Sequence, residues 1–113
     1  MEIQHKELAQ GRWAKMSLSE QMANIGSEIS RAIHWKKKNN EKYSHNSVNR
    51  ALELISLSID TVSMKSHIKE LTRLREAIKD YFYGDNEFSS TDISWQTYFD
   101  HFNYAARLKQ NKV

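Results

Sequence analysis

SLSEQMANIGSEISRAIHWKKKNN, residues 17–40, contains most of the signals that decide the fold. Ser17 and Glu20 have the S-x-x-E spacing of a capping box, in which a hydroxyl and a carboxylate bond the free amides at a helix start. Lysines and asparagines end the stretch, which is typical of a helix exit. Apolar residues recur between these ends at steps of three and four, at Leu18, Met22, Ile25, Ile29 and Ala32. The stretch therefore predicts one amphipathic helix.

Three later segments repeat this apolar spacing. We expect a polar loop to about Ser44 before the second helix, a third helix from about Lys65 to Gly84 as its C′ residue, and a fourth after N-cap candidates at residues 89–92. Proline is absent and glycine occurs only three times, so the strongest helix breakers are nearly missing. No period-two alternation typical of strands is found. The sequence therefore predicts an all-α fold, a single up-and-down four-helix bundle.

The chain length fits one domain over residues 1–113, in which we expect residues 1–12 to fray. A compact domain of this size buries on the order of 65% of its unfolded-chain surface, which is enough for a core without metal or disulfide. Cysteine is absent, which excludes disulfides, thiolate zinc sites, iron–sulfur clusters and cysteine nucleophiles. No apolar run approaches the roughly 18 residues of a membrane span. The start lacks the order of a signal peptide, so we predict a cytoplasmic protein without membrane contact.

The net charge of +3 is unevenly distributed. Residues 31–50 carry six Lys or Arg against one Glu, whereas residues 81–104 carry four carboxylates and no Lys or Arg. Basic side chains bind phosphates and aromatic rings stack on bases, so the first segment is a candidate surface for RNA or DNA. A solvated helix end is the interpretation that the charge pattern favours. We call the candidate residues the basic cluster: Arg31, Trp35, Lys36, Lys37, Lys38, Lys42 and Arg50.

Aromatic residues are concentrated in the last third of the chain, where nine of the twelve lie between positions 81 and 104. So many rings from two helices exceed what one narrow core accommodates, and aromatic residues are enriched at the centres of protein interfaces. An unusually aromatic core is the alternative. The interface candidates are Tyr81, Tyr83, Phe88, Trp95, Tyr98, Phe99, Phe102 and Tyr104.

No set of residues identifies a reaction. Small helical RNases of the HEPN class (higher eukaryote and prokaryote nucleotide-binding domains) use an Arg, four to six residues and then a His. Here Arg31 precedes His34 by three positions, and His101 comes before Arg107. The five histidines are scattered, and only His67 and Glu70 form a short His-x-x-Glu pair. We therefore predict no catalytic residue, no metal and no cofactor, with a HEPN-like or other hydrolase of unrecognised site as an alternative.

Two stretches, NIGSEISRAIHWK at 24–36 and LTRLREAIKDYFYGDNEFSSTD at 71–92, resemble small uncharacterised prokaryotic helical proteins. Size, mild basicity and helical layout are also similar to the four-helix-bundle accessory proteins of diversity-generating retroelements and their ribosomal intervening-sequence relatives. The Asn-Ile-Ala-Glu-Gly segment of that family is partly matched at residues 24–28. The resemblance implies an oligomeric barrel that binds a reverse transcriptase and nucleic acid, and it transfers no functional residue.

These observations favour a non-enzymatic helical-bundle module that self-associates or docks a protein partner, within or outside a nucleic-acid complex. Direct nucleic-acid binding through the basic cluster is the second hypothesis.

Overall fold

The structure is a computed structural model that describes residues 11–110, with side chains as far as residue 108. Its regular elements are four long helices: α1 Leu18–Lys37, α2 Glu41–Thr61, α3 Lys65–Tyr83 and α4 Asp92–Gln110. Within residues 11–110 there is no strand. The prediction of an all-α four-helix bundle is confirmed.

The beginning of α1 has the predicted capping box. The Glu20 amide donates to Ser17 Oγ at 3.2 Å, and the Ser17 amide donates to Glu20 Oε1 at 3.2 Å. The two bonds satisfy donors that the first turn of a helix leaves free.

The link from α1 to α2 is shorter than expected. Asn39 has a φ of 58°, the left-handed conformation that asparagine tolerates at a helix end. Asn40 then caps α2, because its Oδ1 accepts the Tyr43 amide at 3.1 Å. The helix begins at Glu41, so the predicted polar loop as far as Ser44 is wrong. Residues 38–40 alone form the link.

The turn before α4 also differs in one detail. α3 ends before Gly84 as predicted, but Gly84 has a φ of −109° and does not adopt the left-handed conformation expected of a C′ glycine. Asn86, with a φ of 55°, adopts it two residues later and donates its amide to the Asp80 carbonyl at 3.1 Å. Thr91 caps α4, since its Oγ1 accepts the Ser94 amide at 3.0 Å.

The helices alternate in direction. Tyr83 at the end of α3 bonds α2 near its beginning, and Lys36 at the end of α1 bonds Asp92 at the beginning of α4. The same end of the bundle therefore holds the exits of α1 and α3 and the entries of α2 and α4. α1 packs against α2 and α4, and α2 packs against α3.

The core lies between these faces and is mostly aliphatic. α4 approaches α1 at Gly26, where an added Cβ would lie only 2.7 Å from Cγ of Phe99. A glycine is needed here because the Phe99 ring occupies the space of a side chain. The largest fully buried side chains include Trp13, Met22, Ile25, Ile29, Ile55, Leu71 and Ile78.

The segment before α1 is anchored by Trp13. Its indole Nε1 donates to Ser58 Oγ at 3.1 Å, and its carbonyl accepts Gln21 Nε2 at 3.0 Å. Ser58 lies near the end of α2, so the far end of the bundle is closed by this ring. Of the residues predicted to fray, 1–10 lie outside the described part of the chain.

Candidate functional site

Two arginines of the basic cluster are paired with a carboxylate. Glu28 is buried on α1, and its Oε1 lies 2.6 Å from Arg31 Nη1 while its Oε2 lies 2.9 Å from Arg50 Nε. Arg50 also donates to Ser47 Oγ at 3.1 Å. A buried carboxylate requires such partners, because an unpaired charge is costly to remove from water. Arg50 thus joins α2 to α1, whereas Arg31 pairs with Glu28 within α1. The carboxylate of Glu28 offsets part of the positive charge that both arginines would present to a phosphate.

Lys36, a third cation of the cluster, spans three helices. Its Nζ lies 2.8 Å from Tyr81 Oη and 3.4 Å from Asp92 Oδ1, and Tyr81 Oη donates to the same carboxylate oxygen. Partial burial lowers the pKa of Lys36, but the hydrogen bonds and charges of Tyr81 and Asp92 together outweigh it and raise the pKa. Burial, followed by the bond to Asp92, raises the pKa of Tyr81. Lys36 is charged and tied to the bundle.

The remaining lysines of the cluster are exposed. Within residues 11–110, Lys37, Lys38 and Lys42 have no carboxylate within ion-pair distance. Near them, Trp35 and Tyr43 meet edge to face with centroids 5.0 Å apart. A shallow hollow of about 260 Å³ joins these two rings to Arg50. The structure thus brings together part of the surface predicted to bind nucleic acid. Among the basic residues of the cluster, Lys37, Lys38 and Lys42 are the ones that make no ion pair within the described part of the chain.

The aromatic interface candidates fall into three groups. Trp95 and Phe99 are only 5% and 3% exposed, so they belong to the core and cannot form a surface in this fold. Trp95 and Phe99 therefore fit the alternative hypothesis, an unusually aromatic core. Phe99 occupies the space that Gly26 leaves on α1. Tyr81, Tyr98 and Phe102 are half-buried beside them. The exposed candidates are Tyr83, Phe88 and Tyr104.

Tyr83 is exposed but already docked within the chain. Its hydroxyl donates to Asn49 Oδ1 at 2.9 Å, and its ring lies edge to face on His45 at 4.7 Å. Both partners belong to α2. Tyr83 thus holds the end of α3 against α2.

A groove of about 340 Å³ separates α3 from α4. Tyr98 crosses it and donates to Glu70 Oε1 at 2.6 Å. Burial, followed by this bond, raises the pKa of Tyr98 far above its ordinary value, so the hydroxyl keeps its proton in alkaline solution that would ionise a free tyrosine. Trp95 also lines the groove, and its Nε1 is buried without a hydrogen-bond partner in the described structure. The groove walls include Leu74, Ala77 and Arg73.

The outer face of α4 is the most apolar exposed surface on a single helix. Ile93, Tyr104 and Leu108 are 75%, 61% and 49% exposed. At about 100° per residue these three positions lie within about 60° of one another and opposite Trp95 and Phe99. We define the outer face by its exposed residues: Ile93, Thr97, Asp100, His101, Tyr104 and Leu108.

Ile93 and Leu108 were not among the predicted interface residues. Neither residue is aromatic, but the same helical period that selects the inward positions places both of them outward. The sequence signal for Ile93 and Leu108 is that they are apolar residues outside the inward-facing spacing of α4.

Residues 11–110 contain no group of three or more His, Asp or Glu placed to hold a metal ion. None of the helices in that range is both long enough and apolar enough to span a bilayer.

Comparison with protein-family models, curated proteins and solved structures finds no match to this chain. The resemblance to retroelement accessory proteins therefore stays a hypothesis based on residues 24–28 and on the helical layout.

Proposed function

We propose that this chain is a non-enzymatic helical-bundle module that docks a protein through the outer face of α4. The observation that carries the proposal is the exposure of Ile93, Tyr104 and Leu108 on the side of α4 that faces away from the core. Full burial of an exposed aliphatic side chain contributes about 1.5–3 kcal/mol, so an apolar face of this kind favours a partner that covers it.

The ion pairs of the basic cluster support the same proposal, because they weaken the competing nucleic-acid surface. Arg31, Lys36 and Arg50 are engaged by carboxylates of the bundle, which weakens the basic cluster as a phosphate-binding surface. Direct RNA or DNA binding is the competing function, because Lys37, Lys38 and Lys42 are exposed and, within residues 11–110, unpaired. It predicts a complex whose affinity falls steeply as salt concentration rises.

The experiment compares three forms of the full chain. The first is the wild type, the second carries Ile93→Ser, Tyr104→Ser and Leu108→Ser, and the matched control carries Met64→Ser and Phe88→Ser. Met64 and Phe88 are exposed apolar residues away from the α4 face. Complexes are measured by light scattering after size exclusion and by affinity capture with mass spectrometry.

We expect the wild type and the control to form the same complexes and the α4 variant to lose them, with unchanged helical circular dichroism in all three. Complexes that persist in the α4 variant, or a wild type that forms none, would overturn the proposal. A retained complex that contains nucleic acid and disappears when Lys37, Lys38 and Lys42 are changed to Glu would establish the competing function.

A further inference from the structure

The groove between α3 and α4 is the open side of the bundle. The other neighbouring helices pack against one another, whereas α3 and α4 are joined across the groove by Tyr98, whose hydroxyl lies 2.6 Å from Glu70 Oε1. The groove has a volume of about 340 Å³, within the range of pockets that hold small molecules. Its walls are mainly apolar and include Leu74, Ala77 and Trp95. These properties make it a candidate site for a small molecule.

Trp95 gives the first indication of what such a molecule must carry. The side chain is 5% exposed, and its Nε1 is buried without a hydrogen-bond partner in the described structure. Trp13, the other buried tryptophan, donates from Nε1 to Ser58 Oγ at 3.1 Å. A buried N–H without an acceptor is costly, and most such groups are satisfied. Because no hydrogen bond fixes the Trp95 indole, a small turn of the ring brings its N–H to an acceptor atom in the groove.

Arg73 gives the second indication. It is exposed in the wall of the groove, and among residues 11–110 no carboxylate lies within ion-pair distance of it. Glu70, the acidic residue of the same wall, already accepts the Tyr98 hydroxyl. A guanidinium binds a carboxylate through two parallel hydrogen bonds. The charged group with free binding capacity is therefore a cation, which favours an anionic ligand.

The geometry points to a binding site for a small aromatic carboxylate between α3 and α4. The rings of the ligand lie against Leu74, Ala77 and Trp95, and its carboxylate bonds the Arg73 guanidinium and Trp95 Nε1. A cavity of about 150 Å³ holds one benzene ring, so a groove of about twice that volume suits about two fused rings. The outer face of α4 takes no part in this site, so the inference and the proposed function can fail separately.

The test uses 2-naphthoate as the probe and the full chain labelled with ¹⁵N. The chain has three tryptophans, Trp13, Trp35 and Trp95, and therefore three indole N–H signals, of which Trp95→Phe identifies one by its loss. We expect 2-naphthoate to move the Trp95 signal more than the other two, because this indole gains an acceptor. A ligand of about thirteen heavy atoms should bind with a dissociation constant of about 1 mM or below.

Two analogues with the same rings test the charge of the ligand. 2-Naphthamide is neutral, and 2-naphthylmethylammonium is a cation. We expect the carboxylate to bind about three- to tenfold tighter than the amide, and the ammonium compound to bind weakest because Arg73 repels it. If the ammonium compound binds tighter than the carboxylate, Glu70 selects the ligand and the inference is wrong.

Arg73→Gln removes the charge from the groove wall and keeps an exposed polar side chain. Its affinity for 2-naphthoate should fall about three- to tenfold, whereas its affinity for 2-naphthamide should stay the same. Lys79→Gln removes an exposed cation of α3 outside the groove, so this matched control should bind both ligands as the wild type does. An unchanged affinity of Arg73→Gln for 2-naphthoate would overturn the inference.

Ala77→Leu tests the groove itself by adding side-chain volume to its wall. We expect 2-naphthoate and 2-naphthamide both to lose at least about tenfold in affinity, with unchanged helical circular dichroism. The triple serine variant of the outer face of α4 should bind 2-naphthoate like the wild type. Full binding by Ala77→Leu, or a Trp95 signal that millimolar 2-naphthoate leaves in place, would show that the groove is not the site.

Discussion

The two helix pairs of the bundle, α1–α2 and α3–α4, are each held together in a different way. α1 and α2 approach each other closely along small residues, and Ser44 Oγ of α2 donates to the Ala32 carbonyl of α1 at 2.8 Å. α3 and α4 are separated by a groove and are joined by longer side chains, such as Tyr98 to Glu70. The first pair is held by direct helix packing and the second by tyrosine–carboxylate bridges.

The difference shows what fixes α4. Its inner face is positioned by α1, because Phe99 occupies the space above Gly26. α3 contributes bridges rather than a second packed surface. α4 therefore has one constrained side, and its outer side can vary without disturbing the core. This separation explains how apolar residues such as Ile93 can be exposed on α4.

The largest loss of stability is expected from Gly26→Ala, which changes the contact between α1 and α4. The new Cβ would lie 2.7–2.9 Å from Cγ, Cδ1 and Cβ of Phe99, atoms close to the backbone that cannot move aside freely. We expect the free energy of unfolding to fall by about 1–3 kcal/mol, even after the gain of up to about 1 kcal/mol in helix propensity. Urea unfolding followed by circular dichroism measures it.

The double variant Gly26→Ala/Phe99→Ala provides the matched test. Alanine at position 99 removes Cγ and Cδ1, the two atoms nearest the new Cβ, so the cost of the double variant should be less than the sum of the two single costs. Strict additivity would mean that Phe99 does not set the distance between α1 and α4.

A smaller effect is expected from Tyr98→Phe, which removes the bridge between α3 and α4. The loss of one hydrogen bond to a carboxylate should cost about 1 kcal/mol at pH 7. Tyr104→Phe, on the exposed side of α4, is the control and should change stability little.

The same variant has a pH signature. The pKa of Tyr98 is raised in the folded state from 10.0, so the unfolded chain releases this proton first as pH rises. The contribution is present below about pH 10 and is lost above it. Stability of the wild type should therefore fall above pH 10, and that of Tyr98→Phe should fall less steeply. Parallel profiles of stability against pH for the two proteins would show that the folded structure does not raise the pKa of Tyr98.

The smallest effect concerns the beginnings of the helices. α1 and α2 have side-chain caps, whereas Met64, the N-cap residue of α3, makes no capping bond. Its backbone already has the extended conformation of an N-cap, with φ −80° and ψ 126°. Met64→Asp should stabilise the protein by about 0.5–1 kcal/mol. Slower amide exchange in the first turn of α3 should accompany the change, and Met64→Ala, which cannot cap, should lack it.

Helical periodicity was sufficient to predict the four helices and most inward positions. The capping box at Ser17 and the end of α3 at Gly84 are local signals, and both were found at the predicted places. The beginning of α2 was missed because Asn40 was interpreted as part of an exit. Its second role as an N-cap becomes visible only when the backbone conformation is known.

The candidate sites were less predictable because pairing is a three-dimensional property. Glu28 and Arg50 are distant in sequence, and nothing in either segment indicates that one neutralises the other. Burial of Glu28 on α1 was likewise hidden, since a charged residue does not contribute to an apolar pattern. The division of aromatic residues between core and surface depended on the approach of α4 to Gly26.

The link of residues 38–40 between α1 and α2 has a consequence for the order of folding. A connection this short loses little chain entropy when the two helices meet, so the α1–α2 hairpin can assemble from neighbouring sequence alone. The contact of Phe99 with Gly26 must instead close most of the chain. We expect α1 and α2 to form the folding nucleus and α4 to dock last, after the surface it needs has been built.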